Sequence, residues 1–185
     1  LGFDIFLDLK FHDIPNTVAG AVRAAIKLRP RIITIHTGGG TAMMRAAAEA
    51  ATEVAKEQNV KRPIVIGVTV LTSLDAIDLT AVGQHGPPAD QVVRLAQLAK
   101  KSDLDGVVCS PKETALVREA CGPDFKLVVP GIRPDWAAKG DQKRITTPRQ
   151  TVDLGADYLI IGRPITGAED PVGSVKRIGE ELSSA

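Results

Sequence analysis

The stretch FLDLKFHDIPNT, residues 6–17, joins an apolar run to the start of a helical pattern and places charged side chains between them. Its apolar part is typical of a strand in a buried sheet. Because strand side chains alternate, Asp8 and Lys10 are expected to share one face. Leu7 and Leu9 are then expected to share the other. A buried charge is costly unless it is well paired, so Asp8 and Lys10 form either a structural ion pair or a reaction centre.

Short β-branched runs alternate with longer helical patterns along the whole chain. Strands are predicted at residues 5–9, 31–36, 64–70, 106–110, 126–129 and 158–162. Helices are predicted at residues 17–28, 41–58, 89–101, 111–120, 148–154 and 171–182. Ser110 and Thr147 each precede a proline and are predicted N-caps. Gly122 and Gly155 stand where two of these helices should end.

Strict alternation of strands and helices predicts a parallel sheet covered by helices. A barrel of eight βα units needs about 250 residues, whereas six units of about 31 residues fill this chain of 185. We therefore predict a TIM-type (β/α)8 barrel, of which residues 1–185 form a single domain carrying the third to the eighth unit. About two further units are expected on the N-terminal side. The alternative is an open, doubly wound sheet of six strands.

The composition argues against several classes of function. The net charge is +1 and aromatic residues make up 3% of the chain, so neither a basic surface nor a stacking platform for nucleic acid is expected. No apolar run reaches the roughly 18 residues of a membrane span. Two cysteines and three scattered histidines indicate neither a disulfide framework nor a metal site. We expect a cytoplasmic protein with no bound metal.

Polar residues stand at the predicted ends of the strands, where barrels of this type carry their functional groups. If the last two strands are the seventh and eighth of a barrel, the loops after them are the recurrent phosphate site of the fold. Arg133, Gln142 and Arg163 would then supply donors, with the Gly162 amide beside them. The ligand is expected to place a phosphate at this end and to meet Asp8 and Lys10 at the other.

Residues 8–17, DLKFHDIPNT, closely resemble the signature Asp-x-Lys-x-x-Asp-Ile, followed by Thr, of the orotidine 5'-phosphate decarboxylase family. The resemblance to the bacterial type covers essentially the whole chain. It includes, in order, VTVLTS (68–73), DGVVCS (105–110), PGIRP (130–134), GDQKRI (140–145) and IGRPI (161–165). Members of this family begin with two further strands, which carry an aspartate that holds the ribose and a lysine of the charged tetrad. Neither residue is part of this sequence.

The resemblance implies removal of the 6-carboxylate of orotidine 5'-phosphate, in pyrimidine biosynthesis, without a metal or an organic cofactor. It implies that Lys10 stabilises and protonates the carbanion at C6 and that Asp8 holds Lys10 in place. Asp13 is expected to reach across a homodimer interface into the partner's site. The residues expected to bind the substrate are Asn16, Thr17, Thr72, Pro130, Arg133, Gln142, Gly162 and Arg163.

Simpler structural interpretations stand beside these assignments. Asn16 and Thr17 are also candidates to cap the following helix, and Asp13 alone could be an acid at a helix start. His36 is expected to pack inside the barrel rather than to catalyse, and His12 is interpreted as a loop residue. The glycines at 38–40 lack the spacing of a phosphate-binding loop and are interpreted as a tight turn.

Two rival functions remain open from the sequence. The first is a metal-dependent decarboxylase or aldolase of the same barrel type that acts on a sugar phosphate and loses activity on chelation. The second is a truncated chain that binds phosphorylated nucleotides, or only assembles, without turnover, because the lysine of the preceding strand is not in the sequence.

Overall fold

Six parallel strands form one sheet in the order in which they occur along the chain. The computed structural model describes residues 2–137 and 146–183. A doubly wound sheet would reverse its strand order part-way, so the sequential order rules out that alternative and is the order of a TIM-type barrel. The strands are β1 (Phe6–Phe11), β2 (Ile32–His36), β3 (Ile64–Val68), β4 (Gly106–Val108), β5 (Lys126–Pro130) and β6 (Tyr158–Ile160).

Helices follow the strands and cover the sheet. They are α1 (Pro15–Ile26), α2 (Gly40–Glu57), α3 (Ala76–Ala81), α4 (Pro88–Lys101), α5 (Thr114–Cys121), α6 (Pro148–Asp153), α7 (Arg163–Thr166) and α8 (Pro171–Ser183). A short 3-10 turn, Thr37–Gly39, precedes α2 where a tight turn is predicted. The six predicted helices are confirmed as elements, whereas α3 and α7 have no predicted counterpart. None of the helices in the described part of the chain has the length and apolarity needed to cross a membrane.

The two predicted N-caps have different outcomes. Thr147 is confirmed, because its hydroxyl accepts the Gln150 backbone N–H at 3.2 Å and the Gln150 side chain accepts the Thr147 N–H at 3.1 Å. Ser110 is not a cap, because α5 begins only at Thr114. The Ser110 hydroxyl donates instead to the Glu113 carboxylate, and residues 111–113 form a turn. A competing side-chain hydrogen bond has replaced the cap.

Both faces of the sheet are apolar, as expected for a parallel sheet. The larger core cluster lies between the sheet and the helices and includes Ile33, Ile35, Val65 and Leu127. A smaller cluster on the opposite face contains Ile32, Ile66 and Val128, with Phe6, Val108, Tyr158 and Ile160 packed against it. Asp8 and Thr34 follow Phe6 and Ile32 two residues later on this inner face, one step closer to the carboxyl ends of the strands.

At the amino-terminal edge of the sheet, two carboxylates join neighbouring strands. Asp105 accepts the Val65 backbone N–H at 2.7 Å and an N–H of Arg62 at 2.6 Å. Asp157 accepts the Leu127 backbone N–H at 2.9 Å and an N–H of Arg118 at 2.6 Å. In each case an aspartate next to the start of one strand satisfies a backbone donor of the strand beside it. These contacts hold the sheet together on the side opposite Asp8 and Lys10.

Candidate active site

A bulge in β1 sets the position of Lys10. Leu7 pairs with Ile33, but the next pairing joins Phe11 to Ile35, so four steps along β1 match two along β2. Lys10 adopts a φ of 51°, in the left-handed region that costs an ordinary residue roughly 1–2 kcal/mol. Backbone strain of this kind persists where the surroundings hold it, and it is concentrated at functional sites.

The bulge also changes which side chains of β1 face the core, compared with the predicted alternation. Leu7 and Phe11 pack against the larger core cluster, whereas Leu9 is 51% exposed. The prediction that Leu7 and Leu9 share one face is therefore wrong, because Leu7 faces the core and Leu9 does not. The two extra residues of the bulge bring Phe11, rather than Leu9, to the core position.

Asp8 and Lys10 form the predicted ion pair, with Lys10 Nζ 2.5 Å from Asp8 Oδ2. Among the described residues, the Lys10 and Asp8 side chains are 40% and 39% exposed. An exposed pair of this kind contributes about 0–1 kcal/mol to stability. A contribution of this size does not offset the cost of a strained backbone at Lys10, so the arrangement favours a functional role for the pair.

Thr34 on β2 connects both members of this pair and was not among the predicted site residues. Its side chain is fully buried. Its hydroxyl donates to Asp8 Oδ1 at 2.8 Å and accepts the backbone N–H of Lys10 at 2.9 Å. The available signal was a single polar residue inside the apolar run Ile32-Ile33-Thr34-Ile35. Its meaning depends on the pairing of β1 with β2, which the local pattern does not contain.

Two histidines lie beside the ion pair. The ring centroids of His12 and His36 are 5.2 Å apart. Burial lowers the pKa of His36, and the neighbouring His12 and Lys10 lower it further against the opposing effect of Asp8. These effects favour the neutral form of His36. A Cβ at Gly39 would overlap the end of the Met43 side chain and lie 3.3 Å from the His12 ring, so glycine permits this close packing.

Asp13, Asn16 and Thr17 lie in the loop and first helical turn that follow β1, and all three are exposed. The Asp13 carboxylate accepts the Ile14 backbone N–H at 2.7 Å. The expectation that Asn16 or Thr17 caps the helix is wrong, because α1 begins at Pro15 and its N-cap is Ile14. Proline suits the first helical position, where its missing N–H would have no partner within the helix.

An open cleft of about 910 Å³ lies where β3, β4 and β5 end. The predicted residues Thr72 and Pro130 both line it, together with Ser110, Gly131 and Thr146. Parallel strands bring their carboxyl ends to one edge of the sheet, so the cleft shares this edge with Asp8 and Lys10.

A second pocket, of about 370 Å³, contains two of the predicted phosphate-binding residues. Arg133 and Arg163 line it with Trp136, Pro164 and Gly167 among others. Arg133 is buried, and its backbone N–H donates to Thr146 at 3.1 Å, which joins this pocket to the wall of the cleft. Two guanidinium groups around one pocket are well suited to an anion with several oxygens.

Gly162 and Gln142 were also predicted to bind the phosphate. Gly162 is exposed and immediately precedes α7. Gln142 lies outside the described residues.

The two cysteines in the described part of the chain are buried and are not activated as nucleophiles. Burial raises the pKa of the Cys109 thiol to about 12, so this cysteine stays protonated at neutral pH. Cys121 is also a buried, free thiol. In the described ranges, no group of three or more histidine, cysteine, aspartate or glutamate residues could hold a metal ion. The charged residues at the carboxyl ends of the strands remain the candidates.

Comparison with known proteins identifies the family. A sequence model described as "Orotidine 5'-phosphate decarboxylase / HUMPS family" matches residues 1–178. The chain belongs to this family. Orotidine 5'-phosphate decarboxylase from Paramagnetospirillum magneticum is 54% identical over 182 residues, which are 98% of this chain and 77% of the relative. The decarboxylase from Glaesserella parasuis is 50% identical over 181 residues, again 98% of this chain and 77% of the relative.

Solved structures show the same relationship. The crystal structure of orotidine 5'-phosphate decarboxylase from Lactobacillus acidophilus aligns with a TM-score of 0.87 at 38% identity, over 99% of this chain and 77% of that one. The decarboxylase from Pyrococcus horikoshii shares the fold, with a TM-score of 0.76 at 24% identity. Membership of the orotidine 5'-phosphate decarboxylase family confirms the resemblance drawn from residues 8–17 and the later sequence blocks.

Proposed function

We propose that this protein converts orotidine 5'-phosphate to uridine 5'-phosphate and carbon dioxide, the decarboxylation step of de novo pyrimidine biosynthesis. The observation that carries the proposal is the Asp8–Lys10 pair, fixed by Thr34 at the same edge of the sheet as the Arg133–Arg163 pocket. A ligand with a phosphate at one end and a reacting ring at the other matches this distribution of charge. The relatives named above act on such a ligand according to their names.

The chemical problem is the electron pair left on C6 when the bond to the carboxylate breaks. Carbon dioxide leaves, the pair stays on the ring carbon, and a proton must then replace the lost group. The Lys10 ammonium supplies both needs: its charge lowers the energy of the carbanion as it forms, and it then transfers a proton to C6. Asp8 orients Lys10 through the 2.5 Å contact. No step requires a metal or an organic cofactor.

The phosphate end of the substrate contributes to the rate as well as to affinity. Arg133 and Arg163 bind the phosphate oxygens, with Gln142 and the Gly162 amide as further donors. Thr72 and Pro130, in the adjoining cleft, contact the nucleoside part together with Asn16 and Thr17. Binding energy gained far from C6 is used to order the charged centre around the reacting ring.

The proposed active site includes groups beyond the described residues. The six strands correspond to the third to eighth of the (β/α)8 barrel, and the family's first two strands supply a further lysine and an aspartate. The protein acts as a homodimer in which Asp13 reaches the partner's site. The exposed position of Asp13 leaves its carboxylate available for such a contact. Two free, buried cysteines suit a cytoplasmic location.

The proposal is tested with orotidine 5'-phosphate that carries ¹⁴C in its 6-carboxylate. Release of labelled carbon dioxide is measured with and without EDTA. We expect turnover that EDTA leaves unchanged. Loss of turnover on chelation would favour the metal-dependent sugar-phosphate enzyme instead. Tight binding of uridine 5'-phosphate by calorimetry without any carbon dioxide release would identify a nucleotide-binding protein without this activity.

A further inference from the structure

We propose that Thr34 is the positioning residue of the reaction centre, and that it holds Asp8 and Lys10 in the arrangement required for decarboxylation. This inference rests on the proposed function. Its basis is the location of a buried hydroxyl between the carboxylate and the backbone of the two charged residues. Thr34 itself is placed behind the pair and acts through it.

The hydrogen bonds around Thr34 form a closed ring. The hydroxyl donates to one oxygen of Asp8 at 2.8 Å, and the other oxygen of Asp8 contacts the Lys10 ammonium at 2.5 Å. The ring closes because the backbone N–H of Lys10 donates to the same hydroxyl at 2.9 Å. The single oxygen atom of Thr34 thus fixes the rotation of the carboxylate and the start of the lysine side chain together.

The bulge in β1 brings the Lys10 N–H to this hydroxyl. The pairing of β1 with β2 skips from Leu7 to Phe11, and Lys10 lies inside the irregular stretch. The Thr34 hydroxyl accepts the backbone N–H there and supports a lysine whose φ is 51°. Loss of the hydroxyl would leave the strained backbone free to relax and to carry the ammonium away from its position.

Other buried threonines show a different pattern. The hydroxyls of Thr37, Thr114 and Thr151 donate to backbone carbonyls, the ordinary way to satisfy a hydroxyl inside a fold. The Thr34 hydroxyl donates to a charged side chain in the candidate active site. Hydrogen bonds to a charged group are the stronger class, and their geometry is correspondingly better defined.

Three variants separate positioning from stability. Thr34→Val keeps the shape but removes the hydroxyl, Thr34→Ser retains the hydroxyl, and Thr151→Val removes a buried hydroxyl far along the chain in α6. Misplacement of a reacting group by about 1 Å can cost about 100-fold in rate, so we expect Thr34→Val to lower kcat by about 10-fold to 100-fold. KM should change little, because the phosphate contacts are intact. Thr34→Ser should recover most of kcat, and Thr151→Val should retain it.

Amide hydrogen exchange at Lys10, followed by NMR, supplies a readout that needs no turnover. Exchange at this amide should become faster in Thr34→Val and return toward the wild-type rate in Thr34→Ser, with Thr151→Val unchanged. Wild-type kcat in Thr34→Val, or unchanged Lys10 exchange, would overturn the positioning role. If the wild-type protein releases no carbon dioxide, the proposed function fails, whereas the exchange rates still decide whether Thr34 holds Lys10.

Discussion

Ion pairs at the two edges of the sheet are built in different ways. At the amino-terminal edge, Asp157 binds the Leu127 N–H, Arg118 and Lys126, and its side chain is 21% exposed. At the carboxyl-terminal edge, Asp8 binds a hydroxyl and a lysine, and the pair is about twice as exposed. In the first arrangement the carboxylate accepts a hydrogen bond from the backbone of a neighbouring strand. The second leaves a charged group partly exposed at the carboxyl-terminal edge of the sheet.

The cations at the two edges, Arg118 and Lys10, also differ in how many of their N–H donors have partners. Arg118 donates to the carbonyls of Gly122, Phe125 and Gly155 as well as to Asp157, so its donors are used up within the fold. Lys10 has three N–H donors, and the described residues supply a carboxylate acceptor for one. A partly exposed cation with remaining donors can interact with a ligand, whereas Arg118 cannot without breaking existing bonds.

Among variants that keep Lys10, the largest effect that would sharpen this contrast is expected for Asp8→Asn. The neutral amide removes the charge that orients Lys10, so kcat for decarboxylation should fall by about 10²-fold to 10³-fold, the range found for loss of one electrostatic contact. The midpoint of urea unfolding should move little, because the pair is exposed. A large loss of stability with kcat preserved would assign the pair to the fold instead.

A smaller loss of activity is expected for Arg163→Ala at the phosphate pocket. Charge-assisted hydrogen bonds contribute about 1.5–3 kcal/mol, so kcat/KM for orotidine 5'-phosphate should fall by about 10-fold to 100-fold. Orotidine, which lacks the phosphate, provides the matched control. Its slow turnover should be the same in both proteins, and an equal loss for both substrates would mean that Arg163 does not bind the phosphate.

At the opposite edge, Asp157→Asn should affect stability and leave kcat unchanged. Removing a charged hydrogen-bonding partner costs about 1–3 kcal/mol in the free energy of unfolding. Urea unfolding at pH 7 measures this change, and carbon dioxide release serves as the control. A fall in kcat as large as that of Asp8→Asn would abolish the distinction between the two edges.

The Asp157 carboxylate is also expected to make the stability of the fold depend on pH. Burial alone would raise the pKa of Asp157, but the Leu127 N–H, Lys126 and Arg118 outweigh that effect and lower it below its usual 3.8. The ionised carboxylate therefore stabilises the fold above about pH 4, and this contribution disappears as the pH falls through the lowered value. The difference in urea midpoint between wild type and Asp157→Asn should shrink below pH 4. A constant difference down to pH 2 would contradict the assigned charge interaction.

The smallest effect is expected at an ordinary surface pair. Arg23 on α1 and Glu53 on α2 lie 2.5 Å apart, with side chains 47% and 55% exposed. Glu53→Gln should change the free energy of unfolding by less than about 1 kcal/mol and leave kcat unchanged. This variant measures what an exposed ion pair outside the candidate active site contributes to stability. A loss of unfolding free energy comparable to that of Asp157→Asn would show that exposure does not predict the contribution of an ion pair in this protein.

The sequence predicted the strands well because each buried strand is a local apolar run. The convergence of Arg133 and Arg163 was also predictable, since parallel strands bring their ends to one edge. The bulge at Lys10 and the role of Thr34 were not, because both arise from the register between β1 and β2. The helix α3 was missed although Asp75 and Asp78 form a capping box at its start. At Ser110 the local signal was misleading, because a turn competed with the helix start.

Decarboxylation by Lys10→Ala, measured beside wild type and the surface variant Lys56→Ala, tests the central claim most directly. We predict that Lys10→Ala loses turnover by about 10⁴-fold or more, since it removes both the electrostatic stabilisation and the proton donor. Binding of uridine 5'-phosphate and the urea midpoint should remain close to wild type, and Lys56→Ala should keep full activity. Release of carbon dioxide by Lys10→Ala at close to the wild-type rate would contradict the assignment of the reaction to this lysine.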